Sequence, residues 1–97
     1  MNLNEASQKA LEIAQKRGIH ETTTEALKHC AGEVVEAVDA YNDWSYRQDG
    51  KEKFENELAD IVICVLSISA KENIDIENAV ARKMLINEGR AKNDSKK

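Results

Sequence analysis

The sequence predicts an all-α domain, and three features carry that prediction. Proline is absent, glycine occurs only four times, and apolar residues recur at helical rather than alternating spacing. Proline and glycine oppose a helix interior most strongly. A chain nearly free of both, and rich in Ala, Leu, Glu, Lys, Gln and Arg, is therefore free to be helical almost throughout. With 97 residues it can bury one modest core, and association of subunits is an expected further source of burial.

Four helices follow in order. The first spans about Asn4 to Arg17, with a thin stripe of Leu3, Ala6, Ala10 and Ile13, and Gly18 closes it. The second begins among Thr22, Thr23 and Thr24, where a hydroxyl can cap free amides, and continues to about Trp44. Residues Ser45 to Lys51 form a break around the turn dipeptide Asp49-Gly50. The third helix spans about Lys51 to Glu72. The fourth opens at Asp75, a good N-cap preceded by Ile74, and extends to about Arg90. We read one domain over residues 1–91 and a flexible polar tail over residues 92–97.

Charge narrows the function classes. The net charge is −4, and acidic and basic residues are mixed, so no sustained cationic face exists to neutralise a row of phosphates; nucleic acid is a poor ligand candidate. The start of the chain lacks the order of a signal peptide, and the longest apolar run, Ile61 to Leu66, is too short to span a bilayer. A soluble cytoplasmic protein without a membrane partner is the expectation. Cys30 and Cys64 lack zinc-site spacing and read as buried thiols.

The chemistry concentrates on the second and third helices. At about 100° per residue, Leu27, Cys30, Val34, Val38 and Tyr41 form one apolar stripe, with Glu33 and Glu36 along its edge. On the third helix Phe54, Leu58, Ile61, Val62, Val65 and Ile68 form the stripe, and Glu57 and Asp60 fall on the same-handed edge. A short connection makes the two helices antiparallel neighbours, and a two-fold axis between them sends same-handed edges to the same side. The two acidic pairs then converge. Two carboxylates about 4 Å apart repel by roughly 4 kcal/mol at an effective dielectric of about 20, so a cation belongs there. With only oxygen donors at the four positions, that cation is hard: Mg²⁺, with Mn²⁺ as the alternative, rather than zinc or copper. A di-iron carboxylate site would need Glu-x-x-His pairs, and neither His20 nor His29 completes one, because Arg17 and Ala26 stand three residues before them.

Each acidic pair alone is most simply a solvated helix face in a chain that is 33% charged. Two pairs at matching angles on adjacent helices are much harder to obtain by accident. The fourth helix adds to this, because Ile76 and Val80 are continued on the same face by Lys83, Asn87 and Arg90. Either the helix end leaves the bundle, or two cations and an amide approach the acidic cluster as anionic phosphate oxygens would require. Tyr41 and Trp44 are candidate stacking surfaces for a base, although aromatics at helix ends commonly serve packing.

These residues resemble the MazG-like all-α NTP pyrophosphohydrolases, whose pattern is Glu-x-x-Glu, a spacer of about twenty residues, then Glu-x-x-Asp. Here the pattern reads Glu33-Val34-Val35-Glu36 and Glu57-Leu58-Ala59-Asp60. The later run from Ile74 to Val80, followed by Lys83, Asn87 and Arg90, is similar to the family's last helix. The resemblance spans about Leu27 to Arg90, and it implies an antiparallel four-helix module completed by assembly into a homodimer or homotetramer. It further implies Mg²⁺ on Glu33, Glu36, Glu57 and Asp60 as the catalytic centre. Lys83, Asn87 and Arg90 would then contact phosphate. The implied reaction cleaves a nucleoside triphosphate to the monophosphate and pyrophosphate, as nucleotide-pool housekeeping. Gly32 departs from the pattern, since many relatives carry glutamate immediately before the first motif. Two other readings compete: a helical interaction module whose carboxylates do no chemistry, and a nucleotide-binding regulator without turnover. Apolar residues off the main stripes, Ile63, Leu66 and Leu85, independently suggest a partner subunit.

Overall fold

The computed structural model describes residues 1–47 and 49–95, which form four helices: α1 Leu3–Lys16, α2 Thr23–Arg47, α3 Lys51–Lys71 and α4 Ile76–Ser95. Local chemistry sets most of the boundaries. Asn2 caps α1 by accepting from the Glu5 amide at 2.8 Å. After α1, Gly18 takes a φ of +74°, which turns the Gly18 and Ile19 amides back onto the Gln15 and Ala14 carbonyls and satisfies acceptors the last turn leaves open. Asn73 repeats the device after α3 with a φ of 54°, and the Asn73 and Ile74 amides donate to the Ala70 and Ser69 carbonyls. At the start of α2, Thr22 and Glu25 form a reciprocal box: the Glu25 amide donates to Thr22 Oγ1 at 3.1 Å, and the Thr22 amide donates to Glu25 Oε1 at 3.0 Å.

Two helices outrun the sequence expectation. α2 continues past Trp44 to Arg47, and α4 continues past Arg90 to Ser95, so residues 92–95 of the expected tail are helical. No proline follows Arg90, and Asn93 and Asp94 weaken a helix without ending it. Gln48, Lys96 and Lys97 lie outside the described residues.

α3 is the central element, packed on both α1 and α2. The α1–α3 seam is made of small residues: Ser7, Ala10, Ser69 and Ala70 are buried with Leu66, and the Ser7 hydroxyl donates to the Leu66 carbonyl. Small side chains let the two helix backbones approach closely. Ile13, placed in the α1 stripe from sequence, is exposed, and Leu66, read as facing a partner, is buried. The start of α4 is tied to α1, where Asn4 Nδ2 donates to Asp75 Oδ1 at 2.9 Å and the Glu77 amide donates to Asn4 Oδ1 at 3.2 Å.

The α2–α3 seam corrects the sequence reading. On α2 the residues turned inward are Ala26, Cys30, Glu33, Ala37, Ala40 and Trp44, one helical face meeting α3 antiparallel, as shown by the Cys64 thiol on the Ala26 carbonyl and the Trp44 ring beside Phe54. The expected stripe residues Leu27, Val34, Val38 and Tyr41 are instead exposed, as are Leu58, Val62 and Val65 of α3. Alanines permit a closer α2–α3 approach than valines, so the bulkier residues are left on the outside. Buried apolar residues within the chain are few: Ala10, Ala37, Ala40, Leu66 and Ala70.

The resulting chain is open. Its surface is 7459 Å², against about 5,600 Å² for a compact monomer of this mass, and its radius of gyration is 16.2 Å, against about 12.5 Å. Among the described residues no helix is long and apolar enough to cross a membrane.

Candidate metal centre

Antiparallel packing brings Glu33 and Glu36 of α2 to Glu57 of α3, and one carboxylate oxygen from each lies within 4.8 Å of the others. The alanine-lined seam positions them, because Glu33 and Glu57 occupy the facing stripes rather than their edges. Both are half-buried, and Glu36 is exposed. Asp60 is exposed as well; it stands outside the trio, while its charge still acts on Glu57.

The three carboxylates fit a hard divalent cation. Glu33 Oε2 and Glu57 Oε2 are buried side-chain oxygens without a hydrogen-bond partner among the described residues, an arrangement that is costly for carboxylates unless something positive or protic meets them. Burial first, then the charges of Glu36, Glu33 and Asp60, and finally a hydrogen bond with Glu36 push the Glu57 carboxyl above its ordinary value of 4.5. A cation with oxygen ligands relieves every one of these contributions.

Sequence reasoning missed the groups around the trio. His29 lies one turn before Glu33, with Nε2 3.1 Å from Glu33 Oε1 and Nδ1 3.5 Å from Glu21 Oε1. The sequence signal is the i,i+4 spacing of His29 and Glu33, which by itself is an ordinary pair on a helix surface. Beside the carboxylates a cavity of about 930 Å³ is lined by residues including Leu11, Ala14, Ile19 and Ile63, together with Glu33 and Asp60. The free thiols Cys30 and Cys64 also face one another across the seam; burial and then the Cys30 thiol push Cys64 up to about 12, which leaves it a neutral, unreactive wall.

The remaining site candidates are not gathered here. Lys83, Asn87 and Arg90 are exposed on a helix that packs chiefly against α1, and among the described residues no ion pair joins Lys83 or Arg90 to a carboxylate. Trp44 packs with Tyr41 and Phe54, at ring-centroid distances of 6.2 and 5.7 Å, eight residues beyond Glu36 and hence about 12 Å further along α2.

Comparison with known proteins identifies a family. The family model of the MazG nucleotide pyrophosphohydrolase domain matches residues 19–93. No curated protein and no solved structure matches the chain.

Proposed function

This chain belongs to the MazG nucleotide pyrophosphohydrolase family, and from that premise we propose that it hydrolyses nucleoside triphosphates to the monophosphate and pyrophosphate at the carboxylates between α2 and α3. One observation carries the proposal: Glu33 and Glu57, each with a buried carboxylate oxygen that has no hydrogen-bond partner among the described residues, meet Glu36 on the helices that bear the two acidic motifs.

Glu33, Glu36 and Glu57 would hold Mg²⁺, with Mn²⁺ as a substitute and Asp60 adjacent. When bound, such an ion polarises phosphoryl oxygens and lowers the pKa of water. The chain's own residues do the rest. Glu36, the most open of the trio, is suited to orient the attacking water and accept its proton as the water oxygen bonds to the α-phosphorus. The bond from that phosphorus to the bridging oxygen breaks, and pyrophosphate departs. The apolar part of the cavity wall suits the nucleoside, because it lies against Glu33 and Asp60; Trp44, with its ring engaged by Phe54, is a poorer site for the base.

Phosphate contacts by Lys83, Asn87 and Arg90 require a second copy of the chain in this reading, since α4 leaves along α1. The excess surface of roughly 1,900 Å² per chain and the exposed faces of α2 and α3 support a homo-oligomer.

Incubation with a nucleotide panel and Mg²⁺, followed by chromatography, tests the reaction. Monophosphate plus pyrophosphate is expected; diphosphate plus phosphate would reject the bond assigned. In the same assay, Glu57→Gln and Lys83→Ala proteins should each be inactive yet regain about a quarter of wild-type activity when mixed and allowed to exchange subunits, because half of the dimers are mixed and one of their two sites is intact. Mixtures that stay inactive although exchange has occurred would reject the shared site.

A further inference from the structure

The imidazole of His29 stands between two carboxylates from different parts of the fold. Glu33 is its neighbour one turn on along α2, so helix geometry alone keeps the two side chains together. Glu21 comes from the α1–α2 connection, which is tied to the end of α3 where the Lys71 ammonium donates to the Glu21 carbonyl. Two elements thus meet at one ring, and the connection that supplies Glu21 is itself tied to α3.

The consequence falls on Glu33, whose side chain is only 16% exposed. Its Oε1 lies 3.1 Å from His29 Nε2, while its Oε2 is buried with no hydrogen-bond partner among the described residues. A carboxylate held at one oxygen cannot turn both away from the seam, and ordering it in advance removes a cost that ion binding would otherwise meet. We infer that His29, backed by Glu21, is a positioning residue for Glu33: it holds Oε1 so that Oε2 is presented to the divalent cation. This rests on the metal centre proposed above and adds to it a residue outside both acidic motifs.

The test is Mn²⁺ binding to the 97-residue chain without nucleotide, followed by electron paramagnetic resonance of the free ion. His29→Ala should weaken binding about tenfold, the size typical for loss of a group that orients a ligand, with helical circular dichroism unchanged because the ring is 54% exposed. His29→Gln, whose amide can reach the same oxygen, should recover most of the affinity. Should the alanine variant fail to fold, His29→Asn, one methylene too short, takes its place. Affinity within twofold of wild type for the folded short variant, or no advantage of Gln over it, overturns the inference. Glu57→Gln separates the two readings. If it abolishes binding while the His29 variants bind normally, His29 has no positioning role but the metal centre stands; if none of the variants changes binding, both fall.

Discussion

Carboxylates at the helix starts and carboxylates in the α2–α3 seam are the same chemical groups in opposite situations. Glu25 is held below its ordinary value of 4.5, first by the Thr22 amide and then by the Thr22 hydroxyl. Asp75 is held below 3.8, first by the Asn4 side-chain amide and then by the Asn78 amide. Each meets hydrogen-bond donors, Glu25 at its own helix start and Asp75 at its own helix start and on α1, so its charge stabilises the fold unaided. Glu57 is pushed the other way by burial and by three carboxylates, and its charge opposes the fold, an opposition that the proposed cation would relieve. Stability built locally and a site that stores repulsion are thus distinguishable by the direction in which a carboxylate is shifted.

The largest expected effect is on Glu57→Gln, which keeps the shape and removes the charge. Turnover should fall at least about a hundredfold. Without metal its melting temperature should exceed that of the wild type, and the Mg²⁺ response should vanish. The wild type itself should gain about 10 °C or more at a hundredfold excess of Mg²⁺ over its Kd. A scanning calorimeter trace unmoved by Mg²⁺ would erase the distinction between the two kinds of carboxylate. Asp75→Ala comes next, with a melting temperature lower by about 5 °C. Since a cap does not touch the seam, that loss should be the same with and without Mg²⁺.

The smallest effect is the pH dependence, and its signs differ between the regions. Because the folded value of Glu57 is raised, the metal-free fold is unburdened below pH 4.5 and loses stability as pH rises through the raised value. The advantage of Glu57→Gln over wild type should therefore be absent near pH 4 and grow toward neutrality. Asp75, with a lowered folded value, contributes above pH 3.8, and that contribution disappears as pH falls through the lowered value. Thermal melts of Asp75→Asn against wild type should accordingly converge in acid and separate at neutral pH. Parallel pH profiles for the two variants would show that the regions do not differ.

The comparison also separates what could be read in advance from what could not. Thr22, Asp75 and Gly18 were legible because capping and termination act within a few residues of chain. Asn73 was missed, since asparagine marks a helix end less strongly than glycine. The antiparallel pairing behind the meeting of Glu33, Glu36 and Glu57 was legible, but Glu33 and Glu57 meet in the facing stripes rather than along their edges, and Asp60 stands outside the trio. His29 and Glu21 were not assembled from sequence: one side of that contact is an ordinary helix pair, but the other depends on how the α1–α2 connection lies on α3.

By itself the sequence determined four helices, the end signals at Gly18, Thr22 and Asp75, and the acidic pairs at matching angles, because those depend on propensity, short-range capping and a period of about 3.6 residues. Tertiary structure decided which stripe turned inward. Periodicity locates a helix face but does not rank two apolar faces, and close backbone approach favoured the one bearing Ala37 and Ala40, which carried Glu33 into the seam and left Val34 and Val38 outside. It also decided that α4 follows α1, held by Asn4 and Asp75, so that Lys83 and Arg90 stand away from the carboxylates of their own chain.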